Sequence, residues 1–228
     1  MRLWSRRQST SRAKAWQAFA ADLELEDGSE LLGRLREHLD LGPGEIAPIY
    51  TLARPAQPQL VLFDQLRERS GPTGSVSSLR SCVLLRARAQ VEFVSMRITG
   101  RLNPVLEAIE AGRTGSSRID TARGGEFDDT VSVYARDEEG ARRLLTAPAQ
   151  GVLVRLLGGA GSPLDIDDSI PDTVTRSAGP PVVVIGSRDV LLTLEEPEPV
   201  AFERLTDLTA DMMSLYAALL AAATAQPR

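Results

Sequence analysis

Val182-Val183-Val184-Ile185-Gly186-Ser187-Arg188-Asp189-Val190-Leu191-Leu192-Thr193-Leu194 reads as two short apolar strands folded about a tight turn. The runs are rich in branched side chains and too short for helices, and the Gly-Ser-Arg-Asp segment between them supplies turn residues. Two strands joined so closely must be antiparallel, because a parallel pair needs a crossover of a dozen residues or more.

Upstream, the same period recurs. Ile46-Tyr50-Leu52, Leu60-Val61-Leu62-Phe63, Cys82-Val83-Leu84-Leu85 and Val91-Phe93-Val94-Met96-Ile98 are strand-like runs, punctuated by Pro55, Pro58 and the Gly, Pro, Ser and Thr of residues 70–78. With no helix-length insert among them, antiparallel neighbours are expected, and Ala89-Gln90 is short enough to join Ser81–Arg88 to Val91–Thr99 as a hairpin. Ile119 and Val131–Ala135 add two strands.

Helical periodicity lies mainly at the ends. Trp16, Phe19, Ala20 and Leu23 share one face of a helix from about Ser11 to Leu25, while Ala201, Leu205, Leu208, Met212, Leu215 and Leu219 alternate steps of four and three. Leu31, Leu32, Leu35 and Leu39 form a stripe behind a cap at Asp27, and Leu23-Glu24-Leu25-Glu26 alternates as a short strand would. Pro104–Ala111 is a short helix capped by Asn103 and stopped by Gly112. Asp137 caps another, with Glu138 and Glu139 in its first turn and Arg142 and Arg143 further along, complementing the helix dipole. After Pro148, Val152, Leu153, Leu156 and Leu157 form a further segment. The expected class is therefore α+β: a mainly antiparallel sheet packed by N- and C-terminal helices, a rolled pleckstrin-like sheet being one realisation.

The order of these elements divides the chain into a basic arm over residues 1–14, a single α+β domain over 15–224 with a long unpatterned loop at 158–181, and a tail at 225–228. At 228 residues and 24.6 kDa a folded body exposes about 10,000 Å², against about 36,000 Å² for the unfolded chain, so a core forms without staples. One cysteine, Cys82, excludes a disulfide framework, and with His38 it falls short of the three or four ligands a zinc site needs. No stretch approaches the ~20 apolar residues of a membrane span, and Met1–Arg7 is not followed by the apolar core of a signal peptide, so a cytoplasmic location is expected.

Catalytic patterns fail on inspection. Asp165-Ile166-Asp167-Asp168-Ser169 lacks the register of a calcium loop, since Ile170 and Arg176 stand where glycine and glutamate belong. Gly158-Gly159-Ala160-Gly161-Ser162 follows a helix, whereas a phosphate cradle precedes one. No nucleophile elbow occurs, and His38, between Leu35 and Leu39, suits a helix surface better than a general base. Cys82 lies in an apolar run and reads as inert. Carboxylates could still pair in space, from Glu126, Asp128 and Asp129 or from Glu195, Glu196 and Glu198. Gly124-Gly125 ahead of the first group reads as a loop entering a strand. No catalytic, cofactor or metal residue is assigned.

Charge is segregated. The net charge is −5, yet Arg2, Arg6, Arg7, Arg12 and Lys14 place five positive and no negative charges in the first fourteen residues. With Trp4 and Leu3 they make a candidate contact for an anionic membrane surface, or for nucleic acid, while the acidic body repels phosphate backbones.

From Glu126-Phe127-Asp128-Asp129-Thr130-Val131-Ser132-Val133-Tyr134-Ala135-Arg136-Asp137 through Ala141, Leu144-Leu145-Thr146 and Pro148, the chain resembles a group of uncharacterised bacterial domain-of-unknown-function proteins, which also carry an early Trp-x-x-Phe-Ala like Trp16–Ala20. The resemblance implies a hairpin and a C-terminal helix after this segment. It supplies no catalytic residues, and membrane-spanning segments precede the domain in many members. The function expected from all this is a non-enzymatic protein-interaction or scaffold module with an unknown protein partner. The alternative is a carboxylate-based enzyme on a small molecule, with the loop at 158–181 as a lid. Peripheral membrane or DNA association through the arm is a third reading.

Overall fold

A computed structural model describes residues 6–38, 45–55, 57–71, 74–87, 91–121, 125–158, 179–196 and 200–225. Their strands are β1 (Glu26–Asp27), β2 (Glu45–Leu52), β3 (Gln59–Gly71), β4 (Gly74–Arg86), β5 (Met96–Gly100), β6 (Arg118–Ile119), β7 (Val131–Ala135), β8 (Gly179–Ile185) and β9 (Asp189–Glu196). They form one sheet in the order β1-β2-β3-β4-β9-β8-β5-β7-β6, and every pairing is antiparallel. The sheet is not closed into a barrel, so the α+β class holds while the rolled form does not proceed to closure. Its edges are the two-residue strands β1 and β6, which leave little backbone to template further pairing.

The helices are α1 (Arg6–Asp22), α2 (Leu32–His38, entered through a 3-10 turn at Ser29–Leu31), α3 (Pro104–Thr114), α4 (Glu126–Thr130), α5 (Glu138–Leu144), α6 (Ala147–Gly158) and α7 (Phe202–Thr224). One sheet face carries the main core. Cross-strand neighbours Val83, Leu192, Val183, Ile98, Val133 and Ile119 form a row across six strands, and all are buried with Leu153 and Leu157 of α6 and Leu205, Met212, Leu215 and Leu219 of α7. The period-two alternation of the strands and the 3.6 period of the helices meet on this face.

A buried carboxylate fastens α1 to the same layer. Asp64 of β3 accepts from Trp16 Nε1 at 2.6 Å, Ser81 Oγ at 2.8 Å and Arg12 Nε at 3.0 Å. Arg12 and Trp16 are four apart and so share a helix face. Trp16 stacks on Tyr50 at 5.6 Å and meets Phe202 edge-on at 5.2 Å, while the Arg12 guanidinium lies 4.5 Å from the Phe202 ring centre. A carboxylate taken out of water persists only when its acceptor positions are filled, and three donors fill them here.

Several expectations change, among them the cap at Asp27, since Gly28 stands at the N-cap of the turn into α2 with no side-chain cap bond. The stretch at 70–78 is not a loop between strands. Residues 59–71 and 74–86 pair along their whole length, down to Gly71 opposite Gly74, because cross-strand hydrogen bonds carry the ladder past the apolar runs. Ser81–Arg88 and Val91–Thr99 do not form a hairpin: β4 pairs with β9 and β5 with β8 and β7. The β8–β9 hairpin inserts between them, and the connecting chain passes its turn, with Ala87 N donating to Arg188 O and Phe93 N to Ser187 O, both at 2.8 Å. Glu126–Asp129 form a helical turn rather than a strand start, and Gly125, at φ +82°, precedes it. Finally, α3 runs past Gly112 and stops at Gly115, whose left-handed φ of +62° suits glycine. The caps at Asn103 and Asp137 form as expected, accepting from Leu106 N at 3.0 Å and Gly140 N at 2.8 Å. The β8–β9 hairpin and the terminal helix also lie where periodicity put them.

Candidate functional site

Among the described residues, the second sheet face is only partly covered. At the β2–β4 side, Val61, Phe63, Cys82, Leu84 and Leu191 are buried together with Leu31 of the 3-10 turn and Leu35 of α2. Moving across the same face, the row Leu84, Leu191, Val184, Arg97, Tyr134, Arg118 changes from apolar to basic at β5. An arginine at an interior strand position must be either paired or exposed.

Pairing comes from α3. Glu110 forms an ion pair with Arg97, while Glu107 lies 3.8 Å from both Arg101 and Arg118. This helix has no buried residue. It is held by charges on its inner face, and its outer face carries Val105, Leu106 and Ile109, which are 70%, 38% and 61% exposed and are the large apolar side chains left exposed among the described residues.

Between the α2 side and α3 lies a cleft of about 690 Å³. Val184 and Leu191 belong to its apolar floor. Among the described residues five guanidiniums line it, from Arg86, Arg97, Arg113, Arg136 and Arg188, and one carboxylate, Asp189, which pairs with Arg86 at 3.6 Å. Three elements deliver the exposed arginines: the last turn of α3 for Arg113, the exit of β7 for Arg136 and the β8–β9 turn for Arg188. A side chain on Gly115 would place its Cβ 3.4 Å from Arg136 Nη2, close to ordinary contact, so it is the left-handed φ that asks for glycine at the end of α3.

Electrostatics in the cleft follow from this crowding. Burial holds the Arg97 guanidinium below its ordinary pKa; Glu110 opposes that effect, while the positive charge of Arg113 adds to it. Tyr134 is buried, and desolvation, followed by the charge of Glu107, raises its pKa while the nearby Ser132 hydroxyl opposes the rise. The cleft thus brings several guanidiniums together over an apolar floor, on one face of the sheet.

Residues singled out from the sequence are used elsewhere. Arg12 is turned inward on Asp64, and Lys14 is exposed on α1. Arg6 and Arg7 belong to the first turn of α1, and Arg2 and Trp4 lie outside the described residues. Asp128 accepts from the Thr121 hydroxyl at 2.9 Å, and its carbonyl accepts from Arg118 at 2.7 Å, which makes it part of the framework. Glu195 accepts from Ser78 Oγ at 2.7 Å and pairs with Arg80 at 3.2 Å. His38 ends α2. Cys82 is fully buried, and burial drives its thiol far above the usual range. The runs at 165–169 and 159–162, Gly124 and Glu198 fall outside the described residues. Among those described, no three His, Cys, Asp or Glu side chains are grouped to hold a metal ion, and no helix is long and apolar enough to cross a membrane.

The cleft arginines escaped sequence reading because they lie far apart in the chain, from 86 to 188. Arg97, set between Met96 and Ile98, was the one local signal: a charge inside an apolar strand. No protein-family model matches the chain, and no curated protein matches it.

Proposed function

We propose that this chain is a non-enzymatic interaction module that docks an acidic, partly apolar segment of a partner protein across the arginine-lined cleft and the outer face of α3. The observation that carries this reading is α3 itself. Among the described residues, Val105, Leu106 and Ile109 are the large apolar side chains left exposed, and they sit on a helix attached by ion pairs. Grouped exposed apolar residues mark contact surfaces, and here they run into Arg113, at the mouth of a positive cleft. A carboxylate of a partner would be drawn to Arg136 while its apolar residues cover Ile109 and Val105.

A second reading, a carboxylate-based enzyme, draws on the cleft's volume, which falls within the range of small-molecule sites. Against it, the described residues of the cleft include a single carboxylate, and that one is paired. Titration calorimetry with an amphipathic dodecapeptide of leucine and glutamate, and with its leucine-lysine counterpart, tests the docking reading. The acidic peptide alone is expected to bind, weakened both by Val105→Ser with Ile109→Ser and by Arg136→Gln. Absence of binding at about millimolar peptide, or binding indifferent to both sets of variants, would end it.

A further inference from the structure

We infer that α3 is a charge-latched cover over the basic row of the sheet, opening as one local unit while the rest of the chain stays folded. The inference does not rest on the docking reading, which concerns the outer face of this helix. It starts from what α3 turns inward. Glu107, Glu110, Ala111 and Thr114 follow at steps of three and four and are its half-buried residues, while Val105, Leu106 and Ile109 stay outside. Of the inward four only Ala111 is apolar, so seating the helix removes little apolar area from water. The helices α6 and α7, in contrast, seat Leu153, Leu157, Met212 and Leu215 in full burial.

Charge supplies the attachment that apolar area does not. Glu110 pairs with Arg97, Glu107 lies 3.8 Å from both Arg101 and Arg118, and Ser132 Oγ donates to Glu107 at 3.4 Å. The arginines facing Glu107 are 41% and 26% exposed, against 19% for Arg97. Exposed pairs contribute little and weaken with salt, whereas a partly buried pair is screened less, so Arg97–Glu110 is the stronger latch.

The frame around the helix is built independently of it. Arg101 N donates to Thr130 O at 2.8 Å, and Arg118 pairs with Tyr134 in the β6–β7 ladder. Both ends of the segment therefore stay tied beside β7 when the helix lets go. Off the sheet, its 11 residues fall short of the roughly 12–15 that hold a helix in water, so release and unravelling are one event. Release uncovers Arg97 and Arg118, which flank Tyr134 across three neighbouring strands, together with Arg101. While seated, Glu107 and Glu110 neutralise these guanidiniums, which makes α3 an autoinhibitory contact on the row.

Amide hydrogen exchange of the full chain, followed by NMR at constant pH, tests this. The α3 amides are expected to be at least about a hundredfold less protected than those of Leu153 and Leu157 in α6. Raising sodium chloride from about 0.05 to 0.5 M should speed α3 exchange about threefold and leave the α6 amides unchanged. Glu107→Gln with Glu110→Gln should speed it about tenfold, while Glu138→Gln, which breaks an exposed pair on α5, should leave it as it is. Phenylglyoxal, read by mass spectrometry, should modify Arg97 faster in the double variant than in the native chain. Exchange of α3 in step with α6 would overturn the inference, as would α3 exchange indifferent to both salt and the double substitution. A double variant unable to fold would also overturn it, because the helix would then belong to the global folding unit. None of these outcomes decides the docking reading, which the peptide calorimetry tests separately.

Discussion

Replacing Asp64 with alanine removes the one acceptor shared by Trp16, Ser81 and Arg12. The side chain of Asp64 is 2% exposed and that of Arg12 14%, so water reaches the vacated site poorly. Breaking a buried ion pair by deleting one partner costs about 3–5 kcal/mol, and an orphaned buried donor such as the Trp16 indole N–H costs about 1–3 kcal/mol. These penalties overlap, and a destabilisation of about 4 kcal/mol is expected for Asp64→Ala, with about half of that for Asp64→Asn, which keeps an acceptor oxygen. The internal control is Asp211→Ala. That residue also pairs with an arginine, Arg155, at 2.8 Å, but the two side chains are 31% and 57% exposed, and the loss should stay near 0.5 kcal/mol. Urea unfolding followed by Trp16 fluorescence in a Trp4→Phe background measures all three. Similar shifts for Asp64→Ala and Asp211→Ala, or a loss below about 1 kcal/mol at Asp64, would refute the claim that this carboxylate anchors α1.

Other expectations are quickly checked. Leu153→Ala, within the core beneath α6, should cost about 2–5 kcal/mol in the same assay, whereas Ile109→Ser on the outer face of α3 should change stability by less than about 0.5 kcal/mol. Gly140→Ala should destabilise by about 1–3 kcal/mol, since its Cβ would run into the Asp137 carboxylate and a Val94 methyl group and displace the α5 cap; an unchanged urea midpoint would contradict this. Native Cys82 should resist thiol reagents at pH 8 and react at once in urea. Burial raises the phenol pKa values of Tyr50, Tyr134 and Tyr216. The native state then keeps protons that the unfolded chain has released, so this contribution is complete below about pH 10 and fades as pH climbs through the folded values. Tyrosinate absorbance should appear at higher pH in the native protein than in urea, and coincident curves would rule the shift out.

Much of the fold is local and was legible residue by residue. The Asn103 and Asp137 caps, the 182–194 hairpin and the terminal helix each depend on neighbours within a few positions, where side-chain period and cap chemistry act directly. The hairpin expected across Ala89-Gln90 was not found, because a short connection predicts adjacency only when no other strand competes for the same ladder; here β9 and β8 take the places beside β4 and β5. The acidic residues at 126–129 suggest the start of a strand by sequence, yet they stand ahead of β7 as a helical turn.

The candidate site was less visible. Composition pointed to the arm because its charges are contiguous, whereas the five cleft arginines are scattered over a hundred residues and share one face only through the register of β4, β9, β8, β5 and β7. By itself the sequence determined the α+β class, the main helices and most strands, because hydrophobic period and capping are short-range properties of the chain. Strand order, the burial of Asp64 beneath Arg12 and Trp16, and the gathering of guanidiniums beside α3 were decided only by tertiary structure, since they depend on which distant segments share a sheet face and no local pattern encodes that choice.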